Sequence, residues 1–358
     1  MSMIPKTIHE VTPTWISNVL ECKVQSIAVE QVGQGIGLMG DIFKVVLSGD
    51  AEAEALGSVV VKLPSSFEDN RQQGIALGMF DAEVRFYNEL APAVEVGLPT
   101  IYYTEIVPGT ADFVIVMEDL SDLKLVSQSE GMTVDEAYSA VGVLAAIHAT
   151  WWDQGKEEVF DWIPSMTGPR IEYVDQLLGQ ILPAFEAGFG KVLTNDQLSI
   201  FRGFSGNYLN LNKIISDRSP WTIAHQDYRV ENMLFAQDGS KRVVVIDWQG
   251  IGRGPGVYDL AYLVSGSMDL ELRRDEESGL VQHYYQTLVE SGVTGYTNEQ
   301  AWLDYQHAQL MGGLATAMVA GGNLDLSNER GHQLVASMAI RHSQAAIDHG
   351  GLELLRSL

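Results

Sequence analysis

Polar and apolar positions alternate in short runs along the first third of the chain and then settle into helical spacing. The runs 27–32, 42–47 and 59–63 are rich in β-branched residues and separated by glycine-rich or Gly/Ala/Glu turns, a pattern that predicts strands. Within the second, Phe43, Val45 and Leu47 alternate with their neighbours, as one face of a strand requires. Ahead of them, Thr12-Pro13-Thr14-Trp15 predicts a short helix with Thr12 as N-cap and Pro13 at the first helical position. Residues 69–93 read as one helical stretch, and 101–107 with 113–117 as a strand pair around Pro108-Gly109-Thr110. Beyond residue 133 the pattern is mostly helical, over 133–152, 171–189, 195–216, 269–291, 298–320 and 328–349. A strand-rich island, 222–249, interrupts it. The expectation is an α+β chain with a small antiparallel-sheet lobe carrying one long helix (1–117), a connection at 118–121, and a larger, mainly helical lobe (122–358).

Composition narrows the function classes. The 358 residues include 22 Lys and Arg against 47 Asp and Glu, a net charge of −25, which repels phosphate backbones and anionic lipid. A general nucleic-acid binder is therefore excluded, while a local basic site for a nucleotide phosphate is not. An apolar content of 46% supplies a core, which excludes wholesale disorder. The single cysteine, Cys22, rules out a disulfide framework and a cysteine-based zinc site. No run approaches about 18 apolar residues, and the first residues show no cleavable apolar segment, so the expectation is a cytoplasmic protein without membrane insertion.

The densest chemistry lies in the island. It reads His225-Gln226-Asp227-Tyr228-Arg229-Val230-Glu231-Asn232, followed by Val243-Val244-Val245-Ile246-Asp247-Trp248-Gln249. A loop carboxylate such as Asp227 can accept or orient a hydroxyl proton. Asn232 can offer its amide oxygen to a hard cation, and Asp247 ends an apolar run that works as a rigid post for a carboxylate. An amide oxygen and a carboxylate suit magnesium, which takes further oxygens from phosphate and water. Positioned nucleophile, metal and nucleotide phosphates are the parts of phosphoryl transfer. His225 is read as a brace of the loop backbone rather than a base.

These residues, with Asp259-Leu260-Ala261-Tyr262 further on, resemble the small-molecule kinases of the protein-kinase-like fold. The aminoglycoside phosphotransferase-like and choline-kinase-like enzymes are among them, and the likeness is strongest to the ecdysteroid-kinase-like branch. The resemblance implies a two-lobed protein-kinase-like fold and an ATP- and magnesium-dependent enzyme acting on a small-molecule hydroxyl. It implies Asp227 as catalytic residue, Asn232 and Asp247 as magnesium ligands, and Asp259 as a structural support of the loop. The family pattern has glycine where Gln226 stands.

The first lobe carries a matching set. Lys62 sits inside the apolar strand Val59-Val60-Val61-Lys62-Leu63, where an ammonium is costly unless paired. Glu83 shares a helical stripe with Phe80, Tyr87 and Leu90, which points it inward as the partner. Such a pair positions nucleotide phosphates in kinases. Backbone groups around Met117, Glu118 and Leu120 are expected to meet the adenine edge. Gly35-x-Gly37-x-x-Gly40 is followed by a strand rather than a helix, which removes the dinucleotide-binding reading and leaves a hairpin flap over phosphates.

Two rivals share the fold. A protein kinase needs a long segment and an Ala-Pro-Glu element after the metal carboxylate, yet Asp259 follows Asp247 by only 12 positions. A catalytically inactive nucleotide-binding scaffold would have no need of Lys62, Glu83, Asp227, Asn232 and Asp247 together. For the acceptor, Trp151, Trp152, Tyr262, Trp302 and Met311 are candidate pocket walls.

Overall fold

The computed structural model describes residues 4–32, 40–324 and 328–358. They group into two compact units, Met1–Leu123 with Val245–Gly250, and Lys124–Val244 with Ile251–Leu358. Gly35 and Gly37 lie outside the described residues.

The first unit is built on an antiparallel sheet of β1 (Val24–Val32), β2 (Gly40–Gly49), β3 (Ser58–Pro64), β4 (Ile101–Ile106) and β5 (Phe113–Glu118), in the order β1-β2-β3-β5-β4. The alternation read in the sequence is the burial pattern: Phe43, Val45 and Leu47 of β2 and Val59, Val61 and Leu63 of β3 join Val114 and Val116 in one core. The helix Pro13–Leu20 closes that face with Ile16, and Thr12 Oγ1 caps it by accepting from Trp15 N at 3.2 Å. A cap of this kind contributes about 1 kcal/mol.

The period of two sends Lys62 to the opposite face of β3, directly across from Ile115 of β5. That face is covered by the segment expected as one helix over 69–93, which is in fact interrupted. Glu68–Ala76 is a helix, Leu77 and Gly78 break it, and Met79–Arg85 runs on into a wide π turn at Phe86–Leu90. Gly78 takes φ +66°, a left-handed conformation that glycine adopts at no steric cost. The restart lets Phe80 stack on Phe113 of the sheet at 4.9 Å, so that Glu83, one turn later, faces Lys62.

In the second unit, the helix Val134–Thr150 opens with a capping box between Thr133 and Glu136. The expected helix 195–216 is two helices, Asn195–Phe204 and Tyr208–Ser216, separated at Gly206 with φ +85°. Likewise 298–320 divides into Asn298–Ala308 and Gly312–Asn323. In the island, the strand Trp221–Ala224 pairs with Gly252–Pro255, and Met233–Phe235 pairs with Lys124–Leu125. The helix Val257–Ser267 is buried along its whole length, Asp259 included. Among the described residues, no helix is long and apolar enough to cross a membrane.

Candidate active site

In the first unit, all three donors of the Lys62 ammonium have carboxylate oxygens in reach. Nζ lies 2.9 Å and 2.7 Å from the two oxygens of Glu83 and 3.0 Å from Asp247 Oδ1. Lys62 is 7% exposed and Glu83 1%, so the pair is desolvated. Burial pushes the ammonium toward neutrality, and Asp247 and Glu83 outweigh it, holding its pKa above the ordinary lysine value.

Asp247 is set by its backbone as much as by Lys62. It has φ +68°, a left-handed conformation that costs a non-glycine residue on the order of 1–3 kcal/mol and persists only where surroundings enforce it. The enforcement is visible on its other side, where the Trp248 ring lies flat on Phe86 at 3.8 Å with 6° between planes. Phe86 opens the π turn that follows Glu83, so one helix supplies both the lysine's carboxylate and the surface that seats the residue after Asp247.

The connecting segment is fastened within the same unit. Met117 and Leu120 are buried, and the Glu118 amide donates to Thr100 O at 2.8 Å. Asp119, which sequence reasoning passed over, ties it together: it accepts from Ser58 Oγ at 2.5 Å and Ser121 N at 3.0 Å, and pairs with Lys44 at 2.7 Å. Burial opposes its ionisation, but these donors prevail and bring its pKa down to about 2.

In the second unit, the loop carrying Asp227 is held from beneath by Asp259. One Asp259 oxygen accepts the His225 amide at 2.6 Å and the other the Gln226 amide at 2.9 Å. His148 bridges this carboxylate to the next helix, with Nε2 3.3 Å from Asp259 Oδ2 and Nδ1 2.8 Å from Tyr284 Oη. His225 Nδ1 accepts the Asp227 amide at 3.2 Å, a brace of the loop backbone. Gln226 stands at φ +65°, which accounts for the glycine in the family pattern. Its amide oxygen accepts from Arg170, and its side chain lies where a Cβ on Gly252 would collide with it at 2.1 Å.

The Asp227 carboxylate is surrounded by donors. Asn232 Nδ2 donates to Asp227 Oδ2 at 2.8 Å and to its carbonyl at 2.9 Å. Tyr262 Oη donates to Oδ1 at 2.9 Å, and Arg229 Nε donates to Oδ2 at 3.4 Å. The double use of the Asn232 nitrogen turns its amide oxygen away from Asp227, the orientation a cation ligand needs. Tyr262, read from sequence only as a candidate pocket wall, is buried, as are Trp151 and Met311. The signal for Tyr262 was present: it follows Asp259 by three positions, one helical turn, on a helix with no exposed face. For Arg170 no local sequence signal exists.

The sequence model of the ecdysteroid kinase-like family matches residues 34–293. An uncharacterized kinase-like protein of Caenorhabditis elegans is 20% identical over 320 residues, 80% of this chain and 81% of that protein. Among solved structures, choline kinase from Cryptosporidium parvum Iowa II superposes with a TM-score of 0.59 at 12% identity, covering 97% of this chain and 96% of the other. The GDP complex of wild-type aminoglycoside 2'-phosphotransferase-IIIa gives 0.53 at 14% identity, covering 88% and 93%. These likenesses are to the two-lobed kinase-like fold.

Proposed function

The chain belongs to the ecdysteroid kinase-like family and is a small-molecule kinase, and from that premise we propose that it transfers the γ-phosphoryl group of ATP to a hydroxyl of a small molecule. In the step, the acceptor oxygen bonds to the γ-phosphorus and the bond from that phosphorus to the β,γ-bridging oxygen breaks. ADP leaves, and the hydroxyl proton passes to Asp227. The observation that carries this reading is the Asp227 carboxylate on a loop braced at three successive backbone amides, 225, 226 and 227. Such bracing supports a group that must be fixed before its substrate arrives.

Lys62, held by Glu83, is assigned to the nucleotide phosphates, and residues 117–120 to the adenine edge, with 118–121 as hinge. The GDP in the aminoglycoside phosphotransferase structure supports nucleotide use by this fold. The donor set fits magnesium, since Asn232 turns an amide oxygen outward and Asp247 adds a carboxylate, both hard oxygens. When bound, magnesium would neutralise phosphate charge. The acceptor is assigned to the helical second unit.

Two variants test the assignment on Mg·ATP turnover and on titration with a fluorescent ATP analogue. Asp227→Asn keeps the shape and loses proton acceptance, so turnover falls by roughly 10²–10⁴-fold while nucleotide affinity holds. Asp247→Asn loses magnesium-dependent nucleotide affinity and turnover together. The reverse pattern would exchange the two roles, and full turnover in both would end the kinase mechanism. A panel of alcohols, sterols, aminoglycosides and choline-like amines, scored by stimulated ADP release, identifies the acceptor.

A further inference from the structure

Asp259 and Tyr262 stand one turn apart on the buried helix Val257–Ser267, and both reach the same loop. Asp259 holds the backbone of 225 and 226, whereas Tyr262 reaches past it to the carboxylate, with Oη 2.9 Å from Asp227 Oδ1. Tyr262 is 2% exposed, and its hydrogen bond goes to Asp227. Burial first, and then the Asp227 charge, push the Tyr262 pKa well above the ordinary tyrosine value, so the phenol donates and does not ionise. The two carboxylate oxygens are therefore unequal. Oδ1 receives the phenol, whereas Oδ2 receives Asn232 Nδ2 at 2.8 Å and Arg229 Nε at 3.4 Å.

The geometry points to Tyr262 as a positioning residue for phosphoryl transfer: by holding Oδ1 while Asn232 and Arg229 hold Oδ2, it fixes the plane of the Asp227 carboxylate that receives the acceptor's proton. This rests on the reading of Asp227 given above. The carboxylate is about one-third exposed, with 32% of its side-chain surface open, so its plane is held by these donors more than by packing. The phenol is the hydrogen-bond donor on the Oδ1 side.

The test uses water as acceptor, because the full-length protein with Mg·ATP then needs no identified substrate. Tyr262→Phe removes one oxygen and keeps the ring; kcat for hydrolysis should fall by about 10- to 100-fold, the scale of a displaced reacting group. KM for ATP should stay within about twofold, because on this reading Tyr262 acts on Asp227 and not on nucleotide binding. Adding Asp227→Asn to Tyr262→Phe should lower kcat no further than Asp227→Asn alone, since the phenol acts only through that carboxylate. Tyr262→4-aminophenylalanine, which keeps the ring and a weaker N–H donor in the same place, should lower kcat in the same direction by a smaller factor and provides the readout if Tyr262→Phe does not fold. Wild-type kcat in the folded Tyr262→Phe protein, or a fully additive double variant, would overturn the inference while leaving Asp227 as assigned. Full hydrolysis by Asp227→Asn would overturn both.

Discussion

Removing the cation and removing one of its anions from the Lys62 cluster should have unequal consequences. Lys62→Met leaves Glu83, 1% exposed, and Asp247 facing a vacated ammonium position. Breaking a buried pair in this way costs about 3–5 kcal/mol, because a desolvated charge loses its compensation. Glu83→Gln is milder. Lys62 retains Asp247 at 3.0 Å and a neutral amide oxygen in place of the carboxylate, so the loss is about 1.5–3 kcal/mol, the worth of a hydrogen bond to a charged group. The double variant Lys62→Met with Glu83→Gln should then be more stable than Lys62→Met alone, since the stranded carboxylate is gone. Acid provides a second check. Burial raises the Glu83 pKa, and a carboxyl whose folded value lies above its unfolded value gives stability at low pH that is lost as pH rises through the folded value. Losing the opposing lysine strengthens that shift, so the gap between wild type and Lys62→Met should be widest near pH 7 and narrow toward pH 5. Denaturant unfolding of the four proteins at both pH values measures every term. A Lys62→Met protein no less stable than Glu83→Gln, or a double variant showing no rescue, would refute the assignment of the destabilisation to a stranded buried charge.

Two further predictions concern the second unit. His342 is buried, and burial followed by the neighbouring Arg341 charge pushes its pKa down to about 3 from 6.5. The unfolded chain therefore takes up a proton that the folded chain refuses, and stability should fall by about 2 kcal/mol between pH 7 and pH 5 through this residue alone; His342→Gln should flatten that part of the stability profile, and an unchanged slope would count against it. Gln226→Gly should relieve roughly 1–2 kcal/mol of left-handed strain but lose roughly 1.5–3 kcal/mol for the hydrogen bond from Arg170 and roughly 0.5–1 kcal/mol in added chain freedom. Its net effect in thermal or denaturant unfolding should be a loss of about 1–2 kcal/mol, and a stabilised variant would show that the Arg170 bond contributes little.

What could be read from the chain divides by range. The sheet of the first unit was legible because alternation is a local signal, and Phe43, Val45 and Leu47 expose it within six residues. The helix breaks were not. Gly78 and Gly206 adopt positive φ where apolar periodicity continues on both sides, and an isolated glycine in a helical pattern does not announce which conformation it takes. At the site, the loop residues Asp227 and Asn232 come from one short stretch, so their spacing carried the chemistry. The restraints on them come from far along the chain: Arg170 reaches Gln226 across 56 positions and Tyr262 reaches Asp227 across 35. No periodicity links such residues before the helices pack. Lys62 and Glu83 were accessible only because a cation in an apolar strand demands a partner, which turns a local anomaly into a statement about a distant one.

The assignment of residues 245–250 to the first unit has a consequence for synthesis. When Leu123 leaves the ribosome, the five-stranded sheet and the Glu83 helix are present, but Asp247 and the ring that lies on Phe86 are not. Val245 comes 122 positions later, an interval that takes about 6–24 s at roughly 5–20 residues per second. Helix and hairpin formation are complete within about 10 μs, so the nascent first unit waits through that interval with Lys62 paired to one carboxylate and the Phe86 face bare. Its completion is thus timed by the emergence of residues 245–250, after the loop that carries Asp227, and a bare aromatic surface of this kind is one a holdase chaperone would meet on the ribosome.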